Sequence, residues 1–134
     1  MSHTIHQEVS IASTPDRIYA SLMDPAEFSA RTGSAPAAID RAEGGAFSIF
    51  GGHVTGRNIE LVPNERIVQA WRAKTWPAGI YSVARFELRA EGGGTRIIFD
   101  HTGFPEDQQE HLATGWHENY WNTLKSALEV STSA

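Results

Sequence analysis

The chain has 134 residues, no cysteine, and 11 Lys plus Arg against 16 Asp plus Glu, a net charge of −5. That length can bury a substantial core without disulfides or metals, and the lack of cysteine excludes thiolate chemistry, so a reducing cytoplasm is the expected setting. The basic residues are scattered singly, which argues against nucleic acid as a partner, and no charged leader or run of about 18 apolar residues occurs, so neither a signal peptide nor contact with a membrane is expected.

In residues 3–12, from His3 onward, Ile5, Val9 and Ile11 share one parity while Thr4, His6, Glu8 and Ser10 share the other, the alternation of a half-buried strand. Ser13-Thr14-Pro15-Asp16 then offers capping hydroxyls, a first-turn Pro and an early carboxylate, predicting a helix to about Met23 with Ile18 and Leu22 on its buried stripe. Asp24-Pro25 repeats the signal for a second short helix through Phe28, ending near Gly33. Residues 34–38 read as loop.

Between 39 and 103 no helical period is sustained. Turn signals recur instead at Gly44-Gly45, Gly51-Gly52, Pro63-Asn64, Pro77-Ala78-Gly79 and Gly92-Gly93-Gly94. Five or six antiparallel strands fit, with the inward sets Phe47 and Ile49, Ile59 and Leu61, Ile67 and Trp71, Ala84 with Phe86 and Leu88, and Ile97 with Phe99. Gln69, Ser82 and His101 fall on those inward parities, where an unpartnered polar group costs roughly 1–3 kcal/mol. The last segment, about 106–130, places Leu112, Trp116, Tyr120, Leu124 and Leu128 at steps of four, widened by Ala113, Trp121 and Ala127. So aromatic a helix is not stable alone in water and is expected to lie across the concave face of the sheet. No linker or repeat divides the chain, giving one domain over 1–130 and a short tail at 131–134.

The Ser13-Thr14-Pro15 and Asp24-Pro25 helix starts, Gly44-Gly45-Ala46-Phe47, Gly56 followed by Glu60-Leu61-Val62-Pro63-Asn64-Glu65-Arg66-Ile67-Val68 and Trp71, Gly94-Thr95-Arg96, His101-Thr102-Gly103-Phe104-Pro105 and Gly115-Trp116 occur in an order that resembles the START-like, or SRPBCC, superfamily. Within it the chain is similar to the branch of the C-terminal domain of the heat shock protein 90 ATPase activator. The resemblance covers almost the whole chain. It implies an α+β helix-grip fold, a curved antiparallel sheet of about seven strands around a long C-terminal helix, with a pocket between them. Members bind small hydrophobic molecules, cyclise polyketides or regulate chaperones. Two departures stand out: many members carry a Trp near the position of Arg31 or Thr32, so this end of the pocket is expected to be more open or more polar, and no counterpart of the activator's separate N-terminal domain is expected, which counts against a chaperone role.

The candidate pocket residues are Phe47, Gln69, Trp71, Ser82, Phe86, Phe99, His101, Trp116 and Tyr120. An apolar cavity with a few converging polar groups is the usual small-molecule site, although the aromatic residues serve equally as core anchors. His101 is the one catalytic candidate, a general base or ligand partner with Gln69 or Tyr120 beside it; the competing reading is a structural histidine bonded to backbone near Gly103. Asp100 faces the opposite side of the strand, so the two do not form a dyad. His111 and His117 are six apart, a spacing that does not put two ligands on one helical face, and no metal is expected. His53 reads as a surface residue at a turn end, and Trp76, before Pro77, as a gate or an exposed contact. No nucleophile elbow or phosphate loop is present, so no cofactor is expected. The leading function is binding of a small hydrophobic ligand without established catalysis. The alternatives are a polyketide cyclase or hydrolase-like enzyme in the same pocket and a chaperone-associated or stress-response interaction module; a homodimer is compatible with all three.

Overall fold

The computed structural model describes residues 4–33 and 36–129. The expected strand start at His3, part of the loop after the second helix, the helix end at Val130 and the tail at 131–134 lie outside them. The elements run β1 (Thr4–Ile11), α1 (Pro15–Met23), α2 (Pro25–Thr32), β2 (Ala38–Ile39), β3 (Ala46–Ile49), a 3-10 turn (Phe50–Gly52), β4 (Val54–Val62), β5 (Arg66–Ala73), β6 (Ser82–Glu91) and β7 (Gly94–Thr102). A long helix over 106–128 follows, in four segments: a 3-10 turn (Glu106–Gln108), α3 (Gln109–Gly115), a π-helical stretch (Trp116–Trp121) and α4 (Asn122–Leu128). The seven strands form one curved antiparallel sheet in the order β1-β7-β6-β5-β4-β3-β2, and the long helix lies across it, which is the helix-grip fold.

The helix starts differ in how they are capped. Asp24 accepts the Glu27 N–H at 2.9 Å, satisfying one of the amides left unpaired at the start of α2. Thr14 stands at the head of α1 without a side-chain cap bond, so the expected capping hydroxyl is not used for that purpose. Gly33 closes α2 at φ 65°, the left-handed conformation a glycine tolerates.

The inward strand sets are buried as expected except on β4. A β-bulge between Asn58 and Glu60 switches the side-chain parity: Val54, Gly56 and Asn58 face the helix on one side of it and Leu61 on the other. Ile59 is therefore turned out and 52% exposed rather than inward, and the fully buried residue is Asn58. Its Nδ2 donates to the Asp40 carbonyl at 2.8 Å and its Oδ1 accepts from Gln69 at 3.2 Å, which accounts for Gln69 on the apolar face. Gly56 is required by close approach: a Cβ there would sit 1.8 Å from the Ala70 carbonyl oxygen and 2.7 Å from the Phe47 ring.

The long helix resolves a geometric problem in its own sequence. Each four-residue step overshoots a 3.6-residue turn by roughly 40°, so five residues at steps of four would spiral away from the sheet. The wider π turns at Trp116–Trp121 absorb that drift, and Leu112, Trp116, Tyr120, Leu124 and Leu128 are all buried. Gln7 on β1 clamps this stretch: its Nε2 donates to the Ala113 carbonyl at 3.0 Å and its Oε1 accepts from Trp121 Nε1 at 2.6 Å. Ala127, expected on the stripe, is exposed because α4 resumes the ordinary period after the π turns.

Candidate functional site

Between the β4–β5 end of the sheet and the long helix lies a cavity of about 510 Å³, a size in the range of small-molecule sites. Its apolar wall is Phe50, Val54, Trp71, Ala73, Trp76, Leu112, Trp116 and Tyr120, and its polar members are His53, Thr75, Gln108, His111 and Asn119. Of the nine candidate pocket residues, Trp71, Trp116 and Tyr120 line it. Phe47, Gln69 and Phe86 lie on the other side of Tyr120, around a crevice of about 10 Å³, too small to hold a ligand. Ser82, Phe99 and His101 line neither space and belong to the packed wall behind the cavity.

His101 is wholly buried, and its partners define its chemistry. Trp116 Nε1, which can only donate, lies 3.0 Å from His101 Nδ1, so Nδ1 carries the lone pair and the proton sits on Nε2. Nε2–H donates to Ser82 Oγ at 2.6 Å, and Ser82 donates to the Trp71 carbonyl at 2.9 Å. Every polar atom in this relay is satisfied. Burial lowers the imidazole pKa to about 3, and the indole N–H aimed at Nδ1 leaves no room for a second proton there. The partners are thus side chains, not the backbone near Gly103 and not Gln69 or Tyr120. Asp100 faces away and is bonded to His6 at 2.6 Å, as the strand parity required.

Two expectations change: of the gate and the exposed contact read for Trp76 only the second is lost, since the ring stands in the cavity wall, and His53 moves inward. Trp76 is not an exposed contact: it is 5% exposed and packs 5.7 Å from Trp71. The reason is the turn after β5, where the Trp76 N–H bonds to the Ala73 carbonyl and the Arg72 guanidinium donates to the carbonyls of Trp76, Pro77 and Ile80, drawing the indole inward. His53 is half-buried on the cavity wall rather than a surface residue. Phe50, Thr75, His111 and Asn119 were missed. The signal for Phe50 was the adjacent Gly51-Gly52: Phe50 takes φ 54°, uncommon outside glycine, and Gly51 and Gly52 continue at 66° and 89°. The indole Nε1 atoms of Trp71 and Trp76 are buried without a hydrogen-bond partner. Trp71 lies beside the Tyr120 hydroxyl, whose pKa is driven far up by burial and drawn partly back by Arg31 and by this indole.

Residues 12–129 match the family described as "Activator of Hsp90 ATPase homolog 1-like protein". The chain belongs to this family. Among curated relatives, the activator of 90 kDa heat shock protein ATPase homolog 1 of Mus musculus is 32% identical over 94 residues, 70% of this chain and 28% of the relative. The Dictyostelium discoideum homolog is 33% identical over 95 residues, 70% of this chain and 25% of the relative. The chain thus spans little more than a quarter of the length of these two relatives. The family fold recurs in a crystal structure of an HSP90 activator from Plasmodium falciparum, at TM-score 0.85 and 22% identity over 95% of both chains. It recurs also in the solution structure of the Aha1 dimer from Colwellia psychrerythraea, at TM-score 0.82 and 20% identity over 97% of this chain and 98% of that one.

Proposed function

We infer that this domain binds a small, mostly apolar molecule in the cavity between β4–β5 and the long helix. The observation that carries the reading is the cavity itself: about 510 Å³ walled by Phe50, Trp71, Trp76, Trp116 and Tyr120, with polar side chains confined to a few positions. The Trp76 indole N–H stands in that wall without a partner, and an acceptor on an entering molecule would satisfy it once the ring shifts. Catalysis by His101 has no support in this geometry, since the residue is closed off and held neutral. The test is titration with the uncharged probe N-phenyl-1-naphthylamine, which is expected to saturate at one site and change tryptophan emission. Ala73→Phe, which fills the cavity from β5, is expected to abolish binding without unfolding the domain. Non-saturable binding, or binding untouched by Ala73→Phe, overturns the reading.

A second reading comes from the family. The curated relatives are named activators of heat shock protein 90 ATPase, and action on such a chaperone would be measured as stimulation of its ATPase by this chain. No stimulation at saturating concentration would reject it.

A further inference from the structure

Arg31, on the last turn of α2, holds an unusual position. Its guanidinium lies 4.9 Å over the Phe28 ring, and its Nη1 donates to Thr123 Oγ1 at 3.2 Å. Nε and Nη2 are buried and have no hydrogen-bond partner. Glu27, one turn earlier, acts on it only through space and has its own ion pair with Arg17 at 3.8 Å. An arginine cannot discharge itself by losing a proton, so a guanidinium withdrawn from water with two nitrogens unmet is an unfavourable arrangement that a bound anion would relieve. The aromatic face of Phe28 offsets only part of this.

The position of Arg31 relative to the cavity says which anion. Phe28 packs edge-on against Phe50 at 5.3 Å and Tyr120 at 5.6 Å, and both of those rings line the cavity. Thr123, which holds Arg31, bonds to the carbonyls of Asn119 and Tyr120, the last cavity residues on the long helix. Arg31 is therefore tied through Thr123 to the part of the long helix just after the cavity's last residues, behind a partition whose Phe50 is already in a left-handed conformation. A shift of Phe50, or a swing of Arg31 from Thr123 toward Asn119, joins the two.

The geometry points to Arg31 as the anchor for an acidic group, so that the cavity's preferred occupant is an amphipathic carboxylate, its apolar body among Trp71, Trp116 and Phe50 and its carboxylate on the two free guanidinium nitrogens. This inference rests on the cavity reading above and adds the ligand's charge and orientation. Bidentate pairing of this kind is what a planar guanidinium does best.

The test compares naphthalene-2-carboxylate with 2-(hydroxymethyl)naphthalene by calorimetry, two bodies of one shape that differ in charge. The wild-type chain is expected to bind the acid at least about tenfold more tightly, the increment of one good charge-assisted contact. Arg31→Gln should erase that preference by weakening the acid far more than the alcohol, and Arg31→Lys should restore part of it. Arg31→Met, which removes the unmet charge, should raise the Tm of the unliganded protein, whereas an arginine with a purely structural role would lower it. Equal affinity for acid and alcohol, or a preference that survives Arg31→Gln, overturns the inference and leaves the cavity reading standing. Failure of both compounds to bind overturns both.

Discussion

The aromatic layer beneath the long helix has two margins that treat a buried nitrogen base in opposite ways. On the β6–β7 margin, His101 has both ring nitrogens bonded, and the relay through Ser82 ends at a main-chain carbonyl. On the α2 margin, Arg31 has one nitrogen bonded and two without partners. The imidazole can shed its charge on burial and does so; the guanidinium cannot. The contrast separates a polar group that completes a wall from one whose partner comes from outside the chain, and it does so by counting hydrogen bonds rather than by residue type. A histidine on an apolar strand face draws the eye, yet the arginine is the one left with unmet chemistry.

The largest break in this comparison comes from Trp116→Ala. Trp116 is 2% exposed, packs 4.3 Å from Phe99 and 4.4 Å from Tyr120, and supplies the donor to His101. Its loss should cost about 3–5 kcal/mol in urea unfolding, because a large void opens and His101 Nδ1 loses its partner together. A loss below about 1 kcal/mol would mean that the ring is carried by an open cavity and that the closed margin is not closed.

Next in size is the pH dependence set by His101. Its folded pKa, about 3, is depressed below the ordinary 6.5, so the neutral ring's contribution to stability is complete above pH 6.5 and is lost as the pH falls toward 3. Across that window the unfolded chain takes up the proton that the folded one refuses, a slope of up to about 1.4 kcal/mol per pH unit. His101→Gln should remove this component from the slope, read by comparing the two proteins' unfolding free energies from pH 7 to 4. Parallel curves would show that the ring titrates normally and that its burial is transient.

Ser82→Ala sharpens the same margin with a smaller change. It leaves His101 Nε2–H without a partner in a site of 1% exposure, while the Trp71 carbonyl keeps its place in the β5–β6 ladder opposite residue 82; the lost bond should cost about 1–3 kcal/mol. Naphthyl binding in the cavity should be unchanged, since Ser82 lines none of it. Weakened binding with unaltered stability would move the relay into the ligand site.

The fold was legible because its signals are local and repeated: Pro-headed helix starts, glycine-bounded strands and one aromatic stripe each specify an element. What escaped was set by single departures from regular periods. The bulge at Asn58–Glu60 reverses parity by one residue, sending Ile59 outward and Asn58 inward, and no composition rule marks it. The π turns reconcile a stripe of strict four-residue steps with a flat sheet, a clue present in the sequence as a spacing too regular for an ordinary helix. The site was harder to read because inward-facing and cavity-lining are different properties. Parity put Phe47, Phe86, Phe99 and His101 on the concave face correctly, but which part of that face stays unfilled depends on where the helix and the Trp76 turn come to rest. The missing Trp near Arg31 or Thr32 concerned an end of the pocket, whereas Arg31 with its unmet nitrogens lies outside the cavity lining.

The smallest effect belongs to a third nitrogen base, His6, which stands in water on the convex face and tests whether burial alone sets the sign. His6 Nδ1 lies 2.6 Å from Asp100 and Nε2 lies 2.9 Å from Glu8, and these two carboxylates, Asp100 first, raise its pKa above 6.5. A raised folded pKa gives a contribution that is complete below the unfolded value and is lost as the pH climbs through the folded one, the reverse of His101. His6→Gln should therefore flatten the stability curve just above pH 6.5, and at lower pH should change it only through Glu8, whose carboxyl His6 holds below its ordinary value. Because the pair partners are solvated and screened, the change should be at the edge of resolution and should fade in about 0.5 M salt. Proton NMR titration of the His6 ring reads the same shift directly. A midpoint at or below 6.5 would show that the carboxylates do not hold the proton, and would leave His101 as the one histidine of the pair whose environment moves its titration.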